Sequence, residues 1–239
     1  MITKQLDTFT ALPKLRELNL SCNLITSLTS SKVAGGGFLS ALETLNLSFN
    51  AVQLADWSLL ASLPKLKCIS MSHNSIKELP EASIMSQFGV LRMLDLSSNL
   101  LTGDDVFITL SHCPMLEQLI LVHNNLRGIP REAVEPCEFL PMEKEEGLSL
   151  NECFSHLERL DLAHNAVRTV ESLLPGILIE PLRELVICGN PVCTEGQSTA
   201  TENIKKKEGV WAQVRSFATE VRSELGACPI NIVTTDSAK

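Results

Sequence analysis

The chain has 239 residues, 44% of them apolar, and a formal net charge of −8. That charge argues against direct contact with a nucleic-acid backbone or an anionic membrane, because both need a positive surface. Only 4% of residues are aromatic and tyrosine is missing, so a core must be built from aliphatic side chains.

Residues 1–14 open the chain. The string TALPKL at 10–15 matches ASLPKL at 61–66 and SHCPML at 111–116, each with a proline two residues before a leucine. Such segments read as short helices or 3₁₀ turns that end at the proline. Residues 5–14 thus read as the second half of a repeat whose strand is absent, so that residues 1–14 are expected either to be an N-terminal cap or to continue from something longer.

From residue 15 to 193 the order L-x-x-L-x-L-x-x-N-x-L recurs seven times. It starts at Leu15, Leu42, Leu66, Leu91, Leu116, Leu157 and Leu182, with steps of 27, 24, 25, 25, 41 and 25 residues. Each L-x-x-L-x-L alternates apolar and polar positions, the period of a short strand with one buried face. The seven strands should stack in parallel into a curved sheet roughly 30 Å long. Asparagine closes every strand, at Asn23, Asn50, Asn74, Asn99, Asn124, Asn165 and Asn190. Its amide both donates and accepts, so it can satisfy backbone groups of its own and of the neighbouring repeat.

The 41-residue step marks an insertion at about 130–152, rich in glutamate. It is either a solvated acidic loop or a docking element for a basic partner. After Asn190 the polar run 194–209 reads as a linker. Val210, Trp211, Val214, Phe217, Ala218, Val221 and Leu225 then recur at helical spacing. They predict an amphipathic helix over 210–226, either folded over the last repeat with Trp211 and Phe217 as anchors or presenting its apolar face to another protein. Residues 227–239 read as a tail.

The polar strand positions form the concave face. The strand-centre column reads Asn19, Asn46, Ser70, Asp95, Ile120, Asp161, Val186, and the last column Cys22, Phe49, His73, Ser98, His123, His164, Gly189. A Ser/Asn strip in the first four repeats gives way to an apolar patch in the last three. The expected protein-binding residues are Phe49, Met93, Ile120, Val122, His123, Arg159, Asp161, His164 and Val186, since an exposed apolar patch is the usual mark of a protein contact. His73, His123, His164 and Cys188 lie in one region, but no fourth metal ligand is evident. No P-loop, dinucleotide fingerprint or nucleophile elbow is present. No catalytic residue, metal or cofactor is expected.

These residues resemble the leucine-rich-repeat superfamily over 5–192. The resemblance implies an α/β solenoid, with a curved parallel sheet on the concave face, short helices, 3₁₀ turns and loops on the convex face, and a C-terminal capping helix. Within it, LRELNLSCNLI, DWSLLASLPKLK, SNLLTGDDVFITL and LRELVICGNP look like X-ray radiation resistance-associated proteins, which are intracellular and without known enzymatic activity. The start MITKQLDTFT lacks a secretory signal, and the eight cysteines are scattered without a C-x-x-C pair, which reads as reduced thiols. The expected role is a non-catalytic protein–protein interaction module, a structural or adaptor subunit of an intracellular complex. Its partners would be proteins presenting a basic or apolar segment, with no nucleic acid and no membrane. The resemblance also carries a ciliary or axonemal assembly. A subunit that positions an enzyme such as a phosphatase, and a nuclear rather than cytoplasmic location, stay open.

Overall fold

The structure, a computed structural model, describes residues 2–5, 9, 12–29, 39–134, 153–194, 201–224 and 226–234. In chain order its strands are β1 (Ile2–Gln5), β2 (Glu17–Asn19), β3 (Ile25–Thr29), β4 (Thr44–Asn46), β5 (Cys68–Ser70), β6 (Met93–Asp95), β7 (Gln118–Ile120), β8 (Arg159–Asp161), β9 (Glu184–Val186) and β10 (Asn231–Val233). All but β1 and β3 form one parallel sheet in the order β10-β9-β8-β7-β6-β5-β4-β2. Each expected strand lies beside the next in sequence, and the registers align Leu18, Leu45, Ile69, Leu94, Leu119, Leu160 and Leu185. A parallel ladder in this register puts one apolar side chain of every repeat on the same inner row.

The opposite side carries short helices and turns: α1 (Asp56–Ala61), α2 (Ala82–Met85), α3 (Asp105–Leu110), and 3₁₀ turns at Arg131–Ala133 and Glu171–Leu178. The core lies between the two layers. Leu39, Leu63, Phe88, Cys113, Phe154 and Ile179, each three residues before a starting leucine, are all buried. Leu12 in the same position stays 53% exposed, because no repeat among the described residues packs outside it. The rare aromatics are spent here: Trp57 is fully buried and meets Phe88 edge-on, ring centroids 6.1 Å apart.

Four expectations need correcting or bounding. First, the N-terminal segment does contain a strand, but β1 pairs in parallel with β3 away from the main sheet. Second, the acidic insertion is described only to Val134; residues 135–152 lie outside the described residues. Strands β7 and β8 still pair directly across it, Gln118 to Arg159 and Ile120 to Asp161.

Third, the C-terminal helix, after a short α4 (Pro191–Thr194), is α5 (Thr201–Glu224). It begins inside the expected linker, because Lys and Glu are good helix formers whatever their polarity. Its anchors also differ. Phe217 is 50% exposed, while Ala218 and Arg222 are buried; the side chain of Trp211 lies outside the described residues. Fourth, the expected tail supplies β10, which pairs with β9 through Asn231–Glu184, Ile232–Leu185 and Val233–Val186.

Candidate protein-binding face

The sheet aligns the concave side chains in rows. Asn19, Asn46, Ser70, Asp95, Ile120, Asp161, Val186 and Val233 face neighbours in register. In the early repeats this row is tied to itself. The Ser48 and Ser70 hydroxyls lie 2.8 Å apart, Ser70 donates to Asp95 at 2.8 Å, and Ser97 donates to the other Asp95 oxygen at 2.6 Å. Polar groups already paired in this way are held rigid, and a ligand would have to displace their partners.

A charged row runs beside it, and of its basic members only Arg159 is among the expected contact residues. Arg16 and Lys67 both reach Glu43, at 3.8 and 2.8 Å. Arg92 pairs with Glu117, and Arg159 with Glu184 and, at 3.2 Å, with Asp161. Arg183 approaches Glu158 at 3.6 Å. The hydrogen bond from Lys67 holds the Glu43 carboxyl below its usual range. The signal was available: the residue after each starting leucine reads Arg, Glu, Lys, Arg, Glu, Glu, Arg, a nearly alternating series that neutralises itself across strands.

The last column has its own geometry. Cys22, Phe49, His73, Ser98, His123 and His164 all have φ between 53° and 58°, and Gly189 has φ 69°. The chain must turn left-handed just before each ladder asparagine, a conformation uncommon outside Gly, Asn, Asp and His. The turn splays the side chains outward and lets rings stack: Phe49 on His73 with centroids 4.2 Å apart, and His123 on His164 at 4.4 Å. Gly189 closes the column, because a Cβ there would stand 2.2 Å from the His164 ring.

Behind the turn runs the asparagine ladder. Asn99 is typical: its amide donates to the carbonyls of Met71, Leu96 and Ser97, and its carbonyl accepts from the backbone N–H groups of Asn74 and Ile76. Asn50, Asn74, Asn124, Asn165 and Asn190 likewise donate into the preceding repeat. Asn23 bonds the carbonyls of its own turn, Leu20 and Ser21.

Of the expected contact residues, Phe49 is exposed at 51% and stacked, and His123 is exposed. Met93, Ile120, Val122, Arg159, Asp161 and His164 are half-buried. Val186 is a correction: it keeps only 7% exposure in a small cluster with Ala163, Cys188, Val122 and Val233. Strand β10 brings Val233 beside it, so the apolar patch is largely covered by the chain itself. What stays accessible is Ile120, between Asp95 and Asp161, with Val122 two residues on. Among the described residues no three His, Cys, Asp or Glu side chains gather to hold a metal ion, and no helix is long and apolar enough to cross a membrane.

One buried cation was not anticipated. Arg222 of α5 is 1% exposed and places its five guanidinium bonds on backbone carbonyls: Cys228, Ile177, Ile179, Glu180 and Leu182, at 2.6 to 3.0 Å. Ile177 and Glu180 bracket the end of the Glu171–Leu178 turn, where carbonyls lack helical partners. Burial pushes the guanidinium below its ordinary value, yet arginine remains charged. Its position four residues after Ala218, on the inner stripe of the helix, was the sequence signal.

A family model described as leucine-rich repeat matches residues 40–101, and a second of the same description matches 11–28. The solved structure of a leucine-rich-repeat protein from Leptospira interrogans aligns with a TM-score of 0.51 at 25% identity, covering 77% of this chain and 46% of that one. The chain belongs to the leucine-rich-repeat superfamily. This leucine-rich-repeat chain is 33% identical to Tsukushi of Xenopus tropicalis over 163 residues, 64% of the chain and 45% of that protein. It is 31% identical to leucine-rich repeat-containing protein 66 of Homo sapiens over 183 residues, 70% of the chain and 18% of that protein. It thus spans less than half the length of either relative. A leucine-rich-repeat stack of this kind suggests a protein-interaction module.

Proposed function

We propose that the chain is a non-catalytic adaptor or structural subunit of an intracellular complex, and that it engages its partner through the concave face around Ile120. One observation carries this reading. Ile120 is a half-exposed apolar residue of the strand-centre row and, unlike Val233 at the end of the sheet, is set in register between Asp95 and Asp161. Such an apolar position suits a partner segment with an aliphatic or aromatic anchor; a basic neighbour on that segment would compete with Ser70 and Ser97 for Asp95 and with Arg159 for Asp161. Met93, Val122 and the exposed ring of Phe49 extend the same face. The cysteines, scattered without a C-x-x-C pair, suit a reducing intracellular setting.

The test is affinity capture with the wild-type chain beside Ile120→Glu/Val122→Glu, both checked for cooperative unfolding. The expected result is a stoichiometric partner retained by wild type and lost by the double variant. Tubulin-associated or axonemal partners would bear out the ciliary adaptor; a phosphatase would replace it with the regulatory-subunit reading. Equal capture by both chains would remove the concave face from the proposal.

A further inference from the structure

The flank where the chain leaves the sheet carries a second feature, independent of the concave face. Arg127 and Arg168 each follow a ladder asparagine by three residues, in the fifth and sixth repeats. The two segments are bonded together, Ala166 N–H donating to the Leu126 carbonyl at 2.9 Å. With Asn125, Ala166 and Thr169, the two arginines line an open cavity of about 500 Å³. Four of these five residues bear a side-chain hydrogen-bond donor and none is acidic. Both arginines are exposed.

Two contrasts give the pair meaning. On the concave side Arg16, Arg92, Arg159 and Arg183 all reach a glutamate. Among the described residues neither Arg127 nor Arg168 makes an ion pair, and the two like charges line one cavity. Adjacent like charges repel, and these two share one cavity in a chain whose net charge of −8 supplies carboxylates to its concave arginines. An anion entering between them would relieve that repulsion. Guanidinium forks bind phosphate oxygens bidentately, and paired arginines are the usual device for phosphorylated segments.

We infer that this cavity receives a phosphoryl group carried on a side chain of a protein partner. The cavity is open enough for a peptide side chain to enter, and the asparagine amide and threonine hydroxyl supply further donors. The overall negative charge disfavours a nucleic-acid backbone or an anionic membrane as the source.

The experiment uses the full chain and two fluorescein-labelled peptides of one Gly/Ser sequence, with and without phosphoserine, read by fluorescence anisotropy. The phosphorylated peptide should bind about tenfold more tightly or better, the equivalent of one well-made charge-assisted contact. Arg127→Gln/Arg168→Gln should abolish the preference, and both positions are exposed, so the variant should melt like wild type. Arg127→Lys/Arg168→Lys should keep part of it. Ile120→Glu/Val122→Glu should leave it unchanged, which separates this site from the concave face. Equal binding of the two peptides, or a preference that survives in the Gln variant or disappears in the Ile120/Val122 variant, would overturn the inference.

Discussion

Arg222→Met offers the sharpest check on how the C-terminal end is held. Methionine keeps the apolar stem of the side chain but removes all five donors. The five carbonyls they serve belong to the backbone and cannot be changed to suit. Each carbonyl left unbonded while buried would cost about 1–3 kcal/mol. The segment need not accept that full sum, because α5 can lift and let water in. The Ile179 carbonyl also keeps the Leu182 N–H, and Glu180 and Cys228 are exposed residues, so the net loss should fall near about 3 kcal/mol, the cost of one or two buried carbonyls left without a donor, a large share of a typical domain's stability. Urea denaturation would show a lower midpoint. Hydrogen exchange would accelerate at the Asn231 amide, bonded to the Arg183 carbonyl at 2.7 Å, and at the Ile187 amide, bonded to the Val233 carbonyl at 2.9 Å. Arg222→Lys, with at most three donors, should fall between. An unchanged midpoint together with unchanged exchange at both amides would refute the idea that this arginine fastens the end of the stack.

Two further outcomes follow from the interior. Asn99→Ala should cost about 3 kcal/mol, since it strands several buried backbone groups at once, whereas Asn23→Ala, at an exposed residue whose side-chain amide among the described residues donates to its own turn and whose backbone bond to Asn50 survives the change, should cost under about 1 kcal/mol; paired urea curves would show it, and equal losses would sink the ladder argument. Burial raises the Cys113 thiol to about 12, against about 8.5 in an unfolded chain. A raised folded value means the contribution is fully present below the unfolded value and is lost as pH rises. Stability should therefore decline by about 1.4 kcal/mol per pH unit between about pH 9 and 12. The decline from pH 8 to 10 should be shallower in Cys113→Ala than in wild type, and identical pH dependence would count against it.

The inner rows and the asparagine ladder were legible because each repeat states them again. A position that recurs at every step of the stack has the same neighbours above and below, so local pattern and tertiary contact coincide. That is why Leu45, Ile69 and Leu94 could be aligned before any coordinates, and why Ile120 could be placed between Asp95 and Asp161. The ends have no such redundancy. Nothing repeats Arg222 or the Asn231–Val233 strand, and polarity alone misjudged residues 201–209.

The sequence by itself determined the repeat count in the main stack, the buried face of each strand and the turn asparagines, because a period of about 25 residues writes one local rule many times. Only the tertiary structure decided what each repeat presents to the outside. It paired the concave arginines with acidic residues of neighbouring repeats, while Arg127 and Arg168 share a cavity and make no ion pair among the described residues. It stacked Phe49 on His73, drew Val233 beside Val186 and so reduced the accessible apolar patch to the surroundings of Ile120. Those outcomes depend on which side chains become neighbours across strands and at the chain's far end, and charge pairing, ring stacking and burial are properties of neighbours rather than of residues.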